Sequence, residues 1–202
     1  QNGPFALMAV AGAAMHKGNA SVTVSTAEQA LAGIEATGGR AFEPRVVLTM
    51  GYLQQGRVDD ALAAFDDVPD NGRQHPFTQS VAAILHAATG QPEVAIQHAD
   101  AVAEAPGATY LDEVFAYVAA AAAYCRMGNG EKAALSAQAA VARALAVGDV
   151  VAAALSTCMY AAVTGSPHPA HDERTVLGDG WAQLLQLLVG DARIAEPVTA
   201  GD

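Results

Sequence analysis

Glycines recur where helical segments are expected to end, and their spacing constrains the fold more than any other feature of the sequence. They lie at Gly18, Gly56, Gly90, Gly128 and Gly165, at intervals of 38, 34, 38 and 37 residues. Glycine is favoured just past a helix end because it adopts the left-handed conformation that closes the last turn. Each follows an apolar segment with helical spacing, and the first four precede another. A period of this size predicts stacked helix-turn-helix hairpins.

This period divides residues 1–190 into one domain of five units, followed by a tail or linker at residues 191–202. The units lie near residues 5–36, 45–68, 77–104, 111–147 and 150–189. In the first unit, Val22-Thr23-Val24 is β-prone and is interpreted as an extended connection, so the second helix is expected to start at Thr26. In the second unit, the run from Pro69 to Gly72 predicts a turn that ends the hairpin.

The second unit carries the clearest residue pattern. Leu48 and Tyr52 lie four apart before the turn at Gly56, and Ala61 and Phe65 lie four apart after it. We expect Ala61 to mark a close helix crossing and Phe65 to fill the wedge between successive hairpins. Asp59 and Asp60 follow the turn, at a helix start where the dipole favours acids, and Glu93 and Glu131 occupy equivalent places.

This arrangement resembles the tetratricopeptide repeat, with Thr49 and Val68 departing from the family's small residues. The third and fourth units resemble it through Ala95, Tyr124, Ala133 and Ala140. The long intervals are also similar to the looser helical repeats of LuxR/MalT-type bacterial regulators. The resemblance implies an all-α fold, a right-handed α-solenoid of about five hairpins with a C-terminal capping helix. It also implies a scaffold that binds a protein or peptide on the concave face formed by the first helices.

The implied concave face is unusually apolar and rich in methionine, which suits adaptable binding surfaces. The predicted partner-binding residues are Met8, Met15, Val46, Met50, Leu53, Phe77, Ile84, Phe115, Val118, Cys125, Leu155 and Met159. An amphipathic helix of a partner is the expected ligand. Two alternatives are a small hydrophobic molecule sensed by a regulator, and packing of these residues between neighbouring first helices.

The helix from Trp181 to Leu188 leaves three possibilities open. We expect it to cap the last hairpin, as terminal repeats require. It would otherwise fold back into the groove or mediate association between copies of the chain.

Composition narrows the partner class. The net charge is −11, from 21 acidic and 10 basic residues. A chain without a basic cluster is not expected to bind nucleic acid or an anionic membrane surface. Cys125 and Cys158 are too few for a disulfide framework, which favours the cytoplasm. The alanine-rich composition indicates a bacterial origin, and the start at Gln1 without methionine indicates a fragment of a larger regulatory or assembly protein.

Catalysis and metal binding find little support in the sequence. His168, His171 and Asp172 could ligate zinc, but no other ligand accompanies them and a solvated loop is expected. His86 and His98 occupy helical positions and are interpreted as hydrogen-bonded interface residues. His16 and Arg126 are placed near the concave face without an evident carboxylate partner. The sequence therefore predicts no enzyme, no metal and no cofactor.

Overall fold

The computed structural model of the chain describes residues 3–39, 42–167 and 176–190. Within these ranges the regular structure is entirely α-helical, as the sequence predicts. The helices are α1 (Pro4–His16), α2 (Ala20–Glu35), α3 (Glu43–Gln54), α4 (Val58–Asp66), α5 (Asp70–Arg73), α6 (Pro76–Ala88), α7 (Pro92–Glu104), α8 (Tyr110–Arg126), α9 (Gly130–Val147), α10 (Val150–Thr164) and α11 (Asp179–Val189). None of the helices in this described part is long and apolar enough to cross a membrane.

The helices pack in two rows. The first row contains α1, α3, α6, α8 and α10, each packed against the next. The second row contains α2, α4, α7 and α9, and each of these packs against the helix that precedes it and the first-row helix that follows. Sequence neighbours are thus spatial neighbours, as expected of antiparallel helix pairs with short connections.

The turn glycines end their helices by one recurring device. Gly18, Gly56, Gly90, Gly128 and Gly165 all have φ between 69° and 77°. At the first four, the N–H of the next residue reaches the carbonyl five positions earlier, as Asn19 does to Ala14 at 2.9 Å. This is the six-to-one hydrogen bond of the Schellman motif, which satisfies the last helical carbonyls. The period recognised in the sequence is therefore a repeated helix stop.

Helix starts are fixed by side-chain caps and by prolines. Asn129 Oδ1 accepts the N–H of Lys132 at 3.1 Å at the start of α9. Thr109 and Asp112 form a reciprocal capping box before α8. The first turns of α4, α7 and α9 contain the predicted acidic residues Asp59, Asp60, Glu93 and Glu131. Their negative charges interact favourably with the helix dipole.

Two boundary predictions are wrong. The segment Val22-Thr23-Val24 is helical, because α2 begins at Ala20 with Asn19 Oδ1 accepting the N–H of Val22. Thr23 and Val24 are buried against α3, where a Cβ on Gly51 would lie 2.9 Å from Val24 Cγ2. Tertiary packing outweighs their β propensity. The turn predicted after Pro69 contains the short helix α5.

Small side chains let the rows approach closely. Ala61, Ala95 and Ala133 are completely buried, which for Ala61 agrees with its predicted position at a close helix crossing. The helix α8 carries alanine at every position from Ala119 to Ala123, all buried, because it packs against α6, α7, α9, α10 and α11. A helix surrounded in this way needs small residues on several faces.

Candidate functional site

The helix α11 does not cap the last hairpin, contrary to the prediction. It packs across the first row and contacts α3, α6, α8 and α10. Its buried face consists of Trp181, Leu184, Leu185 and Leu188, at the i, i+3, i+4 and i+7 spacing of an amphipathic helix. We call the part of the first row beneath α11, which includes Gln54 and Phe115, the α11-binding surface.

The start of α11 is fixed to the turn after α1. The indole Nε1–H of Trp181 donates to the carbonyl of His16 at 2.8 Å, and the N–H of Gly180 donates to the carbonyl of Gly18 at 3.0 Å. A Cβ on Gly180 would lie 2.6 Å from Gly18 O, so only glycine permits this approach. The Trp181 ring lies against Phe115, with centroids 5.6 Å apart.

The end of α11 is capped by Arg126, the last residue of α8. Its guanidinium donates to the carbonyls of Leu187 at 2.7 Å and Leu188 at 3.3 Å. A cation at a helix C-terminus is favoured by the helix dipole, and these carbonyls lack partners within the helix. Both ends of α11 are thus held by hydrogen bonds, its start donating to the end of α1 and the turn that follows, and its end accepting from Arg126 of α8.

A polar cluster joins the two ends of the first row beside Trp181. His16 Nε2 lies 3.2 Å from Oδ1 and 3.1 Å from Oδ2 of Asp149, and the Tyr110 hydroxyl donates to Oδ2 at 2.9 Å. The Oδ1 atom also accepts the N–H groups of Val151 and Ala152 at 3.0 Å, which caps α10. Both carboxylate oxygens of Asp149 therefore accept hydrogen bonds.

The electrostatics of this cluster agree with its geometry. Burial raises the pKa of the Asp149 carboxyl, but the hydrogen bonds from Ala152, Tyr110 and Val151 and the charge of His16 outweigh burial and lower it below its ordinary value. Burial and the adjacent carboxylate raise the pKa of the Tyr110 hydroxyl. Asp149 is the carboxylate partner of His16 that sequence reasoning missed.

All the predicted groove residues except Cys125 belong to one core or pack against it. Nine are buried: Met15, Val46, Met50, Leu53, Ile84, Phe115, Val118, Leu155 and Met159. Three are half-buried: Met8, Phe77 and Cys125. The first row thus supplies the apolar surface that the sequence predicts, but in this structure it is covered and packed. Phe115 is the member with a direct contact to α11, through the ring of Trp181.

Two histidines form a second, smaller cluster between α6 and α7. The rings of His86 and His98 are stacked, with centroids 5.2 Å apart and planes inclined by 4°. His98 Nδ1 is paired with Gln79 Oε1 at 2.6 Å, whereas the buried Nδ1 of His86 has no hydrogen-bond partner. The prediction of hydrogen-bonded interface residues holds for His98, whereas the buried Nδ1 of His86 departs from it. The zinc ligands considered at His168, His171 and Asp172 and the tail at 191–202 lie outside the described residues.

Two surface clefts bear on the small-molecule alternative. One, of about 590 Å³, is lined by Glu35, Arg45 and Asp67, and the Arg45 guanidinium bridges both carboxylates. The other, of about 630 Å³, is lined by polar residues such as Lys17 and Gln55 beside the start of α11. Sites for hydrophobic ligands are lined mainly by apolar side chains. These clefts do not provide such a lining.

No protein-family model, curated protein or solved structure matches the chain. The resemblance to tetratricopeptide repeats accordingly stays a prediction from the residues.

Proposed function

We propose that this chain is a non-catalytic binding module that accepts an amphipathic helix of a partner protein on its first row. The observation that carries the proposal is α11 itself. Its face of Trp181, Leu184, Leu185 and Leu188 is almost fully buried across four first-row helices. Helix-in-groove recognition uses this i, i+3, i+4, i+7 pattern of anchors. In this proposal α11 is the resident ligand, and a partner helix competes with it.

The proposal includes the finer architecture. Two rows of alternating helices with a repeated stop support a right-handed α-solenoid of tetratricopeptide-like hairpins, curled so that His16 at the end of α1 meets Asp149 at the start of α10. Such arrays bind partners on the surface formed by their first helices. We place the module in the cytoplasm, within a larger bacterial regulatory or assembly protein whose repeats resemble those of LuxR/MalT-type regulators.

The chemistry of the resident helix defines the partner class. The partner is a short helix with a large aromatic residue followed by leucines on one face. It ends with free carbonyls that Arg126 can bind, as it binds those of Leu187 and Leu188. The net charge of −11 favours basic flanking residues on the partner and disfavours nucleic acid and anionic membranes.

Association between copies of the chain is a further form of the same recognition. Because the apolar face of α11 is buried within its own chain, a homo-oligomer through this helix requires that two copies exchange it. An exchanged helix would make the same contacts in the neighbouring copy.

A labelled peptide with the sequence of residues 176–190 tests the proposal. We expect it to bind the full chain carrying Trp181→Ala at least tenfold more tightly than the wild-type chain. The resident helix competes at an effective concentration on the order of millimolar, and removing its largest anchor weakens that competition. Fluorescence anisotropy measures the affinity, and size-exclusion chromatography separates peptide capture from exchange between copies.

Matched controls define the outcome. A peptide carrying Leu184→Asp should not bind, and the chain carrying Leu135→Ala, an exposed residue of α9, should behave as wild type. Arg126→Gln is a milder second variant that releases only the end of α11. A chain variant that keeps its helical circular dichroism yet does not bind the unaltered peptide would contradict the proposal.

A further inference from the structure

Helices α1 and α8 both contact the indole of Trp181. The carbonyl of His16, at the end of α1, accepts the indole N–H, and the ring of Phe115, near the start of α8, lies against it. The side chain of the same His16 contacts Asp149, the capping residue of α10. His16 therefore binds Trp181 through its backbone and the start of α10 through its imidazole.

The contact between His16 and Asp149 connects distant parts of the first row. The helix α1 packs against α2 and α3, whereas α10 packs against α8, α9 and α11. The two residues are 133 positions apart. Their contact spans from one end of the row to the other, at the residue whose carbonyl accepts the Trp181 indole N–H. We call it the His16–Asp149 bridge.

The two sides of the bridge are held unequally. The Asp149 side chain is 9% exposed and is also bound by Tyr110, Val151 and Ala152. The His16 side chain is 27% exposed, and its buried Nδ1 has no hydrogen-bond partner. Because the imidazole is held on one side only, His16 is the member that can leave while Asp149 stays in place.

We propose that the His16–Asp149 bridge controls release of α11 from the first row. When the bridge is closed, it keeps the end of α1 next to Trp181, so that the His16 carbonyl accepts the indole N–H. When it opens, the end of α1 moves away and α11 can leave the α11-binding surface. This inference rests on the proposed function, because release of α11 matters only if another helix takes its place.

Hydrogen exchange of the Trp181 indole N–H measures this release directly. Trp181 is the sole tryptophan of the chain, so its indole gives one resolved proton signal. The reference is the backbone N–H of Ala121, a fully buried residue of α8. Global unfolding exposes both protons equally, whereas local release of α11 exposes the indole alone.

Two variants open the bridge without altering the acceptor of the indole. His16→Ala keeps the backbone carbonyl and a strong helix former. Asp149→Ser keeps an oxygen that can cap α10 but is too short to reach His16. We expect each to accelerate indole exchange at least tenfold relative to the Ala121 amide. The double variant should exchange within about twofold of the faster single one, because both remove the same contact.

Arg143→Gln is the control, since it removes an ion pair with Glu113 between α9 and α8, remote from Trp181 in sequence. It should leave the indole rate unchanged relative to Ala121. If His16→Ala folds and the ratio of the two exchange rates stays at the wild-type value, the bridge does not hold α11 and the inference is wrong. An equal acceleration of both protons would overturn it in the same way.

The outcomes also separate this inference from the proposed function. Faster indole exchange without peptide binding would retain the bridge and reject the partner helix. Peptide binding by the Trp181→Ala chain with an unchanged indole ratio in His16→Ala would retain the binding module and reject the bridge.

Discussion

Phe65 contacts the neighbouring hairpin, as the sequence predicts for a wedge residue. Its ring meets His86 of α6 edge-on, with centroids 6.5 Å apart, and the Arg73 guanidinium lies 5.7 Å from its centroid. Only 9% of the residue is exposed. One aromatic side chain thus joins α4, α5 and α6.

Replacing Phe65 with alanine removes most of this contact. We expect Phe65→Ala to lower the free energy of unfolding by about 3 kcal/mol, from lost burial and the cavity that remains. Chemical denaturation followed by circular dichroism measures the change. Leu135→Ala, at an exposed site on α9, should cost less than about 0.5 kcal/mol. Equal midpoints for the wild type and Phe65→Ala would show that Phe65 does not fill the wedge.

Residue-level prediction succeeded where the cause is local. Ala61 and Ala133 are buried at crossings, and their size and spacing from an aromatic or apolar neighbour indicate this in the sequence. The pairing of His16 with Asp149 gives no such signal, because it depends on how 133 intervening residues bring two helix ends together. The only local indication was the position of Asp149 after Gly148, which is typical of a helix cap.

At the scale of elements, the joint between α6 and α7 contains two titratable groups, the stacked imidazoles of His86 and His98. Burial lowers the pKa of His98, and the neighbouring His86 lowers it further. Burial also lowers the pKa of His86, partly offset by a hydrogen bond with Gln91. The folded joint therefore binds fewer protons than the unfolded chain below about pH 6.5, the ordinary pKa of histidine.

Stability of this joint should fall as the pH is lowered. Because the histidine pKa values are lower in the folded chain, the free energy of unfolding decreases below about pH 6.5 until the folded pKa is reached. We expect His86→Gln/His98→Gln to show a smaller decrease than the wild type between pH 7.5 and 5.5. Thermal unfolding at several pH values measures it. Parallel curves for the two proteins would exclude the stacked pair as the cause.

The helix stops were the elements best predicted. The positive φ of the turn glycines follows directly from residue type and position. The start of α2 was mispredicted because buried contacts of Thr23 and Val24 with α3 outweigh their local preference. The amphipathic character of α11 was evident in the sequence, but its location was not, since one apolar stripe suits both the end of an array and a groove.

At the scale of the whole molecule, most helix contacts are local, and those of α11 and of the His16–Asp149 bridge are not. Neighbouring helices pack in pairs along the chain, whereas Trp181 donates to His16 across 165 residues. The all-α fold class followed from the period. The burial of the first row did not follow from the period. The period places the predicted groove residues on one surface but does not indicate what covers that surface.

This contrast predicts an order of events during refolding. Local helix pairs close short loops, whereas α11 must find a surface that the earlier helices have assembled. We expect the far-ultraviolet circular dichroism of the refolding chain to reach its final value before the fluorescence of Trp181 does. Stopped-flow measurement of both signals tests this. A single shared rate constant would show that α11 docks together with the helix pairs.

The position of α11 in the chain has a consequence for synthesis on the ribosome. From the end of α8 at Arg126 to the end of α11 at Val189 the chain runs for 63 residues. At typical elongation rates this takes roughly 3 to 13 s. Throughout that interval the nascent α11-binding surface, which includes Gln54 and Phe115, lacks the helix that later covers it. Translation itself therefore gives a folding chaperone, or a partner made at the same time, an interval in which the surface is open.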